Sequence, residues 1–232
     1  MDNNRYLATI HPFNWIFLFC AIVYLALIFG LWTVYVSTVY PSVISIGNLP
    51  ARIFLNEFIR ICIFVAPVFL LLTFVIGEKP ISFLKLDKNI RSGILCGVVA
   101  SIGYTMLVLA RIILANGGSN PKLVPLEAWF TALTVATLIE EIAFRGFLLQ
   151  AFERFMNFWI ANLLTATLFV AIHFPGWIII GKAPLLPDKM VAMAEILFLG
   201  LLLGFLFKRA QSLWACVILH STNNLLSTIL FG

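Results

Sequence analysis

Apolar residues do not alternate with polar ones in this chain; they run on for whole helix lengths. Such runs cover residues near 15–36, 58–76, 93–115, 128–152, 158–173, 191–207 and 213–231. Most approach the roughly 20 residues that a helix needs to cross a bilayer. Short polar links punctuate them. Tyr40-Pro41 and Gly47-Asn48-Leu49-Pro50 follow the first run, Asn116-Gly117-Gly118-Ser119-Asn120-Pro121 closes the third, and Pro175-Gly176 stops the fifth. The pattern predicts an all-α fold, a polytopic transmembrane helix bundle of about seven spans, forming one integral membrane domain over residues 1–232. No internal repeat divides it.

Composition agrees: 62% of residues are hydrophobic and 11% charged. That leaves no room for a sizeable soluble domain. The first run is too long for the core of a cleaved signal peptide and lacks a small-residue cleavage site, so it reads as a retained span. Trp15, Trp129, Trp159 and Trp214 stand at the starts of runs, where interfacial belts form. Cys20, Cys62, Cys96 and Cys216 all fall inside apolar runs with no close pair, which points to small apolar side chains rather than disulfide or metal chemistry.

The net charge of +5 is spread over the links. No basic stripe with interleaved aromatics exists, so nucleic acid is not an expected partner; the lipid bilayer is. Lys79, Lys85, Lys88 and Arg91, then Arg154, then Lys208-Arg209 fall on links that alternate to one side. Arg52, Lys122, Lys182 and Lys189 fall on the other. The bias predicts a cytoplasmic N-terminus and an external C-terminus, with the plasma membrane as the expected location. The segment Ile81–Leu86 reads either as a piece lying along the surface or as a plain loop.

The fourth run contains the anomaly, Leu138-Ile139-Glu140-Glu141-Ile142-Ala143-Phe144-Arg145-Gly146-Phe147. One charge at bilayer centre costs about 2.5–3.5 kcal/mol on insertion scales, so two adjacent carboxylates need partners, water or a task. Glu141 and Arg145 are four apart, acid first, the favourable order for a helical pair. Glu140 points about 100° away around the helix. Glu141 and Arg145 thus read as support and Glu140 as the working group; a pair that only fixes packing would leave Glu140 unexplained.

Two more polar sets interrupt later runs. Phe169 and His173 share a helix face at four-residue spacing, and so do His220 and Asn224. Between them Ser221, Thr222 and Asn223 read as interhelical hydrogen-bonding groups. His11, before the first run, reads as a surface residue. Together Glu140, His173, His220 and Asn224 offer a carboxylate, two imidazoles and an amide from the fourth, fifth and seventh spans.

In order and spacing, Glu140-Glu141-x-x-x-Arg145, Phe169-x-x-x-His173 and His220-x-x-x-Asn224 resemble the motifs of the CAAX protease and bacteriocin-processing membrane proteins, the CPBP or Abi family. The resemblance covers residues 126–232, a catalytic core; residues 1–125 match only as hydrophobic spans. It implies an intramembrane endopeptidase acting on membrane-associated proteins or peptides. In one branch of the family the substrate is a prenylated CAAX tail; bacterial relatives are linked to bacteriocin maturation and immunity. Nothing in the sequence shows a prenyl pocket.

Peptide hydrolysis needs an activated water, a stabilised oxyanion and a proton for the leaving amine. Glu140 is the expected general base, His173 the holder of the water, and His220 and Asn224 the oxyanion donors. Glu141, Arg145 and Phe169 are supporting residues. No cofactor is expected. The rival chemistry is zinc held by Glu140, His173 and His220, a common ligand set. Against it stand the lack of a His-Glu-x-x-His pair and of an acid close in sequence to His173 or His220. Non-enzymatic alternatives are an immunity or scaffold protein, and a transporter, which would keep buried charges along a conduit. One difficulty is geometric. His220 falls about 10 Å into its span and His173 near the far end of its own, counting 1.5 Å per residue, so the spans must bring them to a common depth.

Overall fold

The computed structural model describes residues 12–114, 136–179 and 187–231, and among them the chain is helical with no strand. Among the described residues nine helical elements follow one another. Helix α1 covers residues 12–44, α2 is Leu49–Ile76, α3 Pro80–Phe83 and α4 Ile90–Leu114; α5 covers 136–152, α6 is Phe158–Ala171, α7 Phe174–Ile179, α8 Pro187–Ala210 and α9 Leu213–Phe231. Six helical stretches are long and apolar enough to cross a membrane: Trp15–Ile44, Leu49–Ile76, Ile90–Leu114, Phe158–Ile179, Met190–Ala210 and Leu213–Leu230. The chain is a multi-pass integral membrane protein. Phe19, Phe54, Phe74, Leu95, Met106 and Ile113 project outward, an apolar exterior suited to lipid.

The expected spans need three adjustments. Helix α1 runs through Tyr40-Pro41 to Ile44 instead of ending near Val36, because a wide turn with i→i+5 hydrogen bonding at Tyr35–Val39 precedes the proline and absorbs its missing N–H. Helix α2 begins at Leu49, nine residues earlier than the apolar pattern suggests. Asn48 caps it, accepting from Ala51 N at 3.0 Å, and Pro50 sits in its first turn, where a missing N–H costs nothing. The segment Ile81–Leu86, whose Ile81 is exposed, is not a plain loop. It is the end of α3 and a turn with Leu84 fully buried and Lys85 at φ 57°. The beginning of the fourth span, His11, Trp129, Lys122, Lys182 and the Asn116–Pro121 link lie outside the described residues.

The links expected on one side do gather on one face. Lys208 pairs with Glu153, Lys85 Nζ donates to Gln211 Oε1 at 2.8 Å, and Trp214 Nε1 donates to Leu86 O at 2.8 Å. Trp214 is thus a fastener between α9 and the turn after α3, while Trp15 and Trp159 are exposed. Burial against this network lowers the Lys85 ammonium below its usual range. The four cysteines are free.

Helix α5 packs at the centre, against α1, α2, α6 and α9, and Ala143, Phe144, Phe147, Leu148 and Leu149 along it are fully buried. Small residues set the distances around it. A Cβ on Gly97 of α4 would sit 2.9 Å from Ile218 Cβ and 3.0 Å from Ala215 O of α9. Close backbone approach of this kind drives helix association where no hydrophobic gain is available. Replacing Gly97 by Leu is expected to wedge α4 from α9 and to cost about 1–3 kcal/mol, the usual range for overpacking. Thermal melts of the purified protein in detergent check this, with Gly97→Ala the milder member of the pair.

Candidate active site

Helix α5 supplies Glu140 and Glu141, and their environments differ as their helical positions require. Glu141 is wholly buried and Arg145 nearly so, joined at 2.9 Å from Nη1 to Oε1. Arg145 also donates through Nη2 to Gly200 O on α8 at 3.2 Å, and its guanidinium lies 4.5 Å from the centre of the Phe169 ring. The pair is charge-assisted and desolvated, the regime in which such bonds are strongest. From residue 142 to 149 the helix widens to i→i+5 bonding, a form found disproportionately at functional sites.

Glu140 retains 19% of its side-chain exposure and faces two neighbours. Its Oε1 accepts from Arg60 Nη2 of α2 at 2.8 Å; its Oε2 lies 3.8 Å from His220 Nε2. On its other side the His220 ring meets Glu141 Oε1 through Nδ1 at 2.7 Å. His220 therefore stands between the two adjacent carboxylates. No local pattern points to an acid behind this histidine, because Glu141 is 79 residues away and its helical spacing pairs it with Arg145. It serves both, accepting both bonds on one oxygen.

Phe169 resolves the depth difficulty. Its buried ring is edge-on to His173 at 5.3 Å and to His220 at 5.6 Å, and edge-on to Phe144 of α5 at 5.1 Å. One aromatic side chain thus spaces both imidazoles and packs against α5. Helix α6 ends at Ala171, and His173 sits in the turn before α7, its Nδ1 2.8 Å from Phe169 O. A carbonyl can only accept, so Nδ1 carries the hydrogen and Nε2 is left as the ring's acceptor. Trp32 of α1 donates to Ile172 O at 3.0 Å, fixing the backbone just before it.

Asn224 follows His220 by one turn of α9, about 6 Å along the axis. Its Oδ1 accepts from Asn223 Nδ2 at 3.2 Å, and Asn223 Oδ1 accepts from Tyr104 of α4 at 2.7 Å. Ser221 and Thr222 behave as interhelical groups, pairing with Thr137 and Ser101 at 3.0 Å each. The structure thus brings Glu140, Glu141, Arg145, Phe169, His173 and His220 into one connected cluster, with Asn224 one turn above His220. Among the described residues, no three His, Cys, Asp or Glu side chains gather as a metal-binding group.

Compared with known families, residues 122–226 match the model of the Rce1-like, type II CAAX prenyl endopeptidase family. The C-terminal part of this chain carries a CAAX endopeptidase domain. No curated protein and no solved structure matches the chain. The match starts close to the expected core boundary at residue 126 and includes every charged and polar residue of α5, α6 and α9 described above. It makes that part of the chain similar to CAAX-type endopeptidases. Arg60, Tyr104 and Trp32 lie outside the matched residues, yet each touches the CAAX endopeptidase domain at its polar centre. Sequence reasoning missed all three. Arg60 carried a usable signal, since Asn56-Glu57-Phe58-Ile59-Arg60 interrupts an apolar stretch with charges at helical spacing.

Proposed function

We propose that the CAAX endopeptidase domain cuts a peptide bond of a membrane-associated protein or peptide with a water activated by Glu140. The observation that carries this reading is the division of labour between the oxygens of Glu140. Arg60 occupies Oε1, and Oε2 faces His220 across 3.8 Å. A gap of that size between two polar atoms suits a bridging water. In the proposed cycle Oε2 takes a proton from that water as it attacks the carbonyl carbon, then returns the proton to the leaving amine. His173, its Nδ1–H committed to Phe169 O, accepts from the water through Nε2 and so orients it. His220 and Asn224 receive the charge that develops on the carbonyl oxygen. For His220 this needs an N–H on Nε2 as well as on Nδ1, and its two nitrogens each face a carboxylate oxygen, Glu141 below and Glu140 beside it. Asn224 Oδ1 accepts from Asn223 Nδ2 one turn along α9 from His220. Losing one such donor typically costs about 10²–10³ in rate.

We further propose that the reaction uses no metal ion. Glu141 behind His220 is an arrangement that also occurs around metal-ligating histidines, so the sequence argument from missing acids does not hold. Arg60 supplies a better one. A guanidinium 2.8 Å from Glu140 Oε1 brings a positive charge to the place where a zinc ligand would need to offer a negative one. The test is cleavage of a fluorescence-quenched peptide ending in a CAAX sequence, farnesylated or not, by protein purified in detergent. Activity that survives excess chelator with substoichiometric metal content is the expected result. Loss of cleavage on chelation, restored by one equivalent of zinc, would replace this chemistry with the Glu140, His173 and His220 ligand set.

A further inference from the structure

Nothing in the family match extends to α2, yet α2 makes the shortest contact that Glu140 has in the described structure. Arg60 is largely buried and forked between two carboxylates. Nη2 reaches Glu140 Oε1 at 2.8 Å, while Nη1 reaches Glu57 Oε1 at 3.3 Å and Oε2 at 3.4 Å. Glu57 is itself held. Its Oε1 accepts from Asn56 Nδ2 at 2.8 Å, and Asn56 Oδ1 accepts from Tyr35 of α1 at 2.6 Å. The Tyr35 ring lies 5.5 Å from Trp32, the residue whose indole N–H holds the backbone carbonyl of Ile172 beside His173. A polar chain therefore runs from Tyr35 of α1 through Asn56, Glu57 and Arg60 of α2 to Glu140, and the Tyr35–Trp32 ring contact joins it to the residue that holds the backbone next to His173.

We propose that Arg60 is a positioning residue for the hydrolysis, aiming Glu140 Oε2 by binding Oε1, with Glu57, Asn56 and Tyr35 as its brace; this rests on the reading of Glu140 as the base. The physical case has three parts. A glutamate has three side-chain torsions, and only a fixed carboxylate presents one oxygen consistently to a water. A charge-assisted hydrogen bond in a desolvated setting fixes it at small entropic cost, because the guanidinium fork is planar. Glu57 holds the other arm of the fork, so Arg60 cannot swing away with Glu140. A misplacement of about 1 Å in a reacting group can cost about 10²-fold in rate.

The experiment uses the full chain reconstituted in lipid nanodiscs and the quenched CAAX peptides, farnesylated and unmodified. Variants are Arg60→Ala, Arg60→Lys, Glu140→Ala and, as a control arginine on α4 paired with exposed Glu195, Arg111→Ala. Arg60→Ala is expected to lower kcat about 10²-fold with KM within a factor of about three. Arg60→Lys, which keeps the charge but not the fork, is expected to recover about tenfold of that loss. Arg111→Ala stays at wild-type kcat. Because a general loss of folded protein would not respond to the lysine, rescue separates positioning from structural support. Wild-type kcat in Arg60→Ala beside a dead Glu140→Ala overturns the positioning role and leaves the base intact. A rise in KM alone overturns it too, making Arg60 a substrate-binding group. Full activity in Glu140→Ala overturns the base itself. A double-mutant cycle on thermal melting of Arg60→Ala and Glu140→Ala reads the pairing without substrate: non-additive shifts support it, and additive shifts contradict it whether or not the peptides are cut.

Discussion

Replacing Arg145 by alanine is expected to remove the folded protein, not merely slow it. Arg145 is the largest fully buried side chain among the described residues, and Glu141 beside it has no exposure. Truncating the arginine strands a carboxylate in an apolar interior, a loss of about 3–5 kcal/mol for a buried pair. Two further contacts go with it: the donor to Gly200 O, which ties α8 to α5, and the guanidinium over Phe169. Lysine is not expected to rescue, because it lacks the fork that serves Glu141 and Gly200 together. The double change Glu141→Gln with Arg145→Met removes both charges and is expected to restore accumulation but not cleavage, since His220 then loses its carboxylate. Size-exclusion profiles of fluorescent fusions read the amount of folded protein directly. A monodisperse Arg145→Ala protein at wild-type yield would show that the ion pair does not hold the bundle.

Glu140→Gln is expected to do the opposite, losing cleavage by about 10²–10⁴-fold, the range for a general base, while the protein stays folded. The contrast follows from position. Glu140 is partly exposed where Glu141 is not, and glutamine keeps an oxygen for Arg60. What glutamine cannot do is accept a proton at the site's pH. Equal loss of folded protein in Glu140→Gln and Arg145→Ala would contradict the separation of roles.

These two residues also show what the sequence makes legible. Charges four apart in an apolar run announce an ion pair, because the helix repeat fixes their neighbourhood. A residue one position away then has to face something else. The helical class, the multi-pass architecture and the cluster on α5, α6 and α9 follow from such local rules. Contacts between distant helices do not. Glu141 holds His220 across 79 residues and Arg60 holds Glu140 across 80, and no spacing along the chain encodes either. Arg60 was harder still to see because the apolar pattern starts at Phe58, whereas the cap at Asn48 starts the helix at Leu49 and carries Glu57 and Arg60 into the bundle. The apolar pattern ends the first span early for a related reason. Pro41 looks like a stop unless the widened turn before it is known. Phe169, legible as a neighbour of His173, turns out to space His220 as well, which no helical periodicity could reveal.

The most direct test compares membrane peptides from cells producing the wild-type chain with those from cells producing Glu140→Gln at equal levels. Peptide fragments with new termini, present with the wild type and missing with the variant, are the predicted result. Identical peptide profiles, together with a phenotype that survives simultaneous loss of Glu140, His173, His220 and Asn224, would contradict a water-activating glutamate and leave a membrane scaffold in its place.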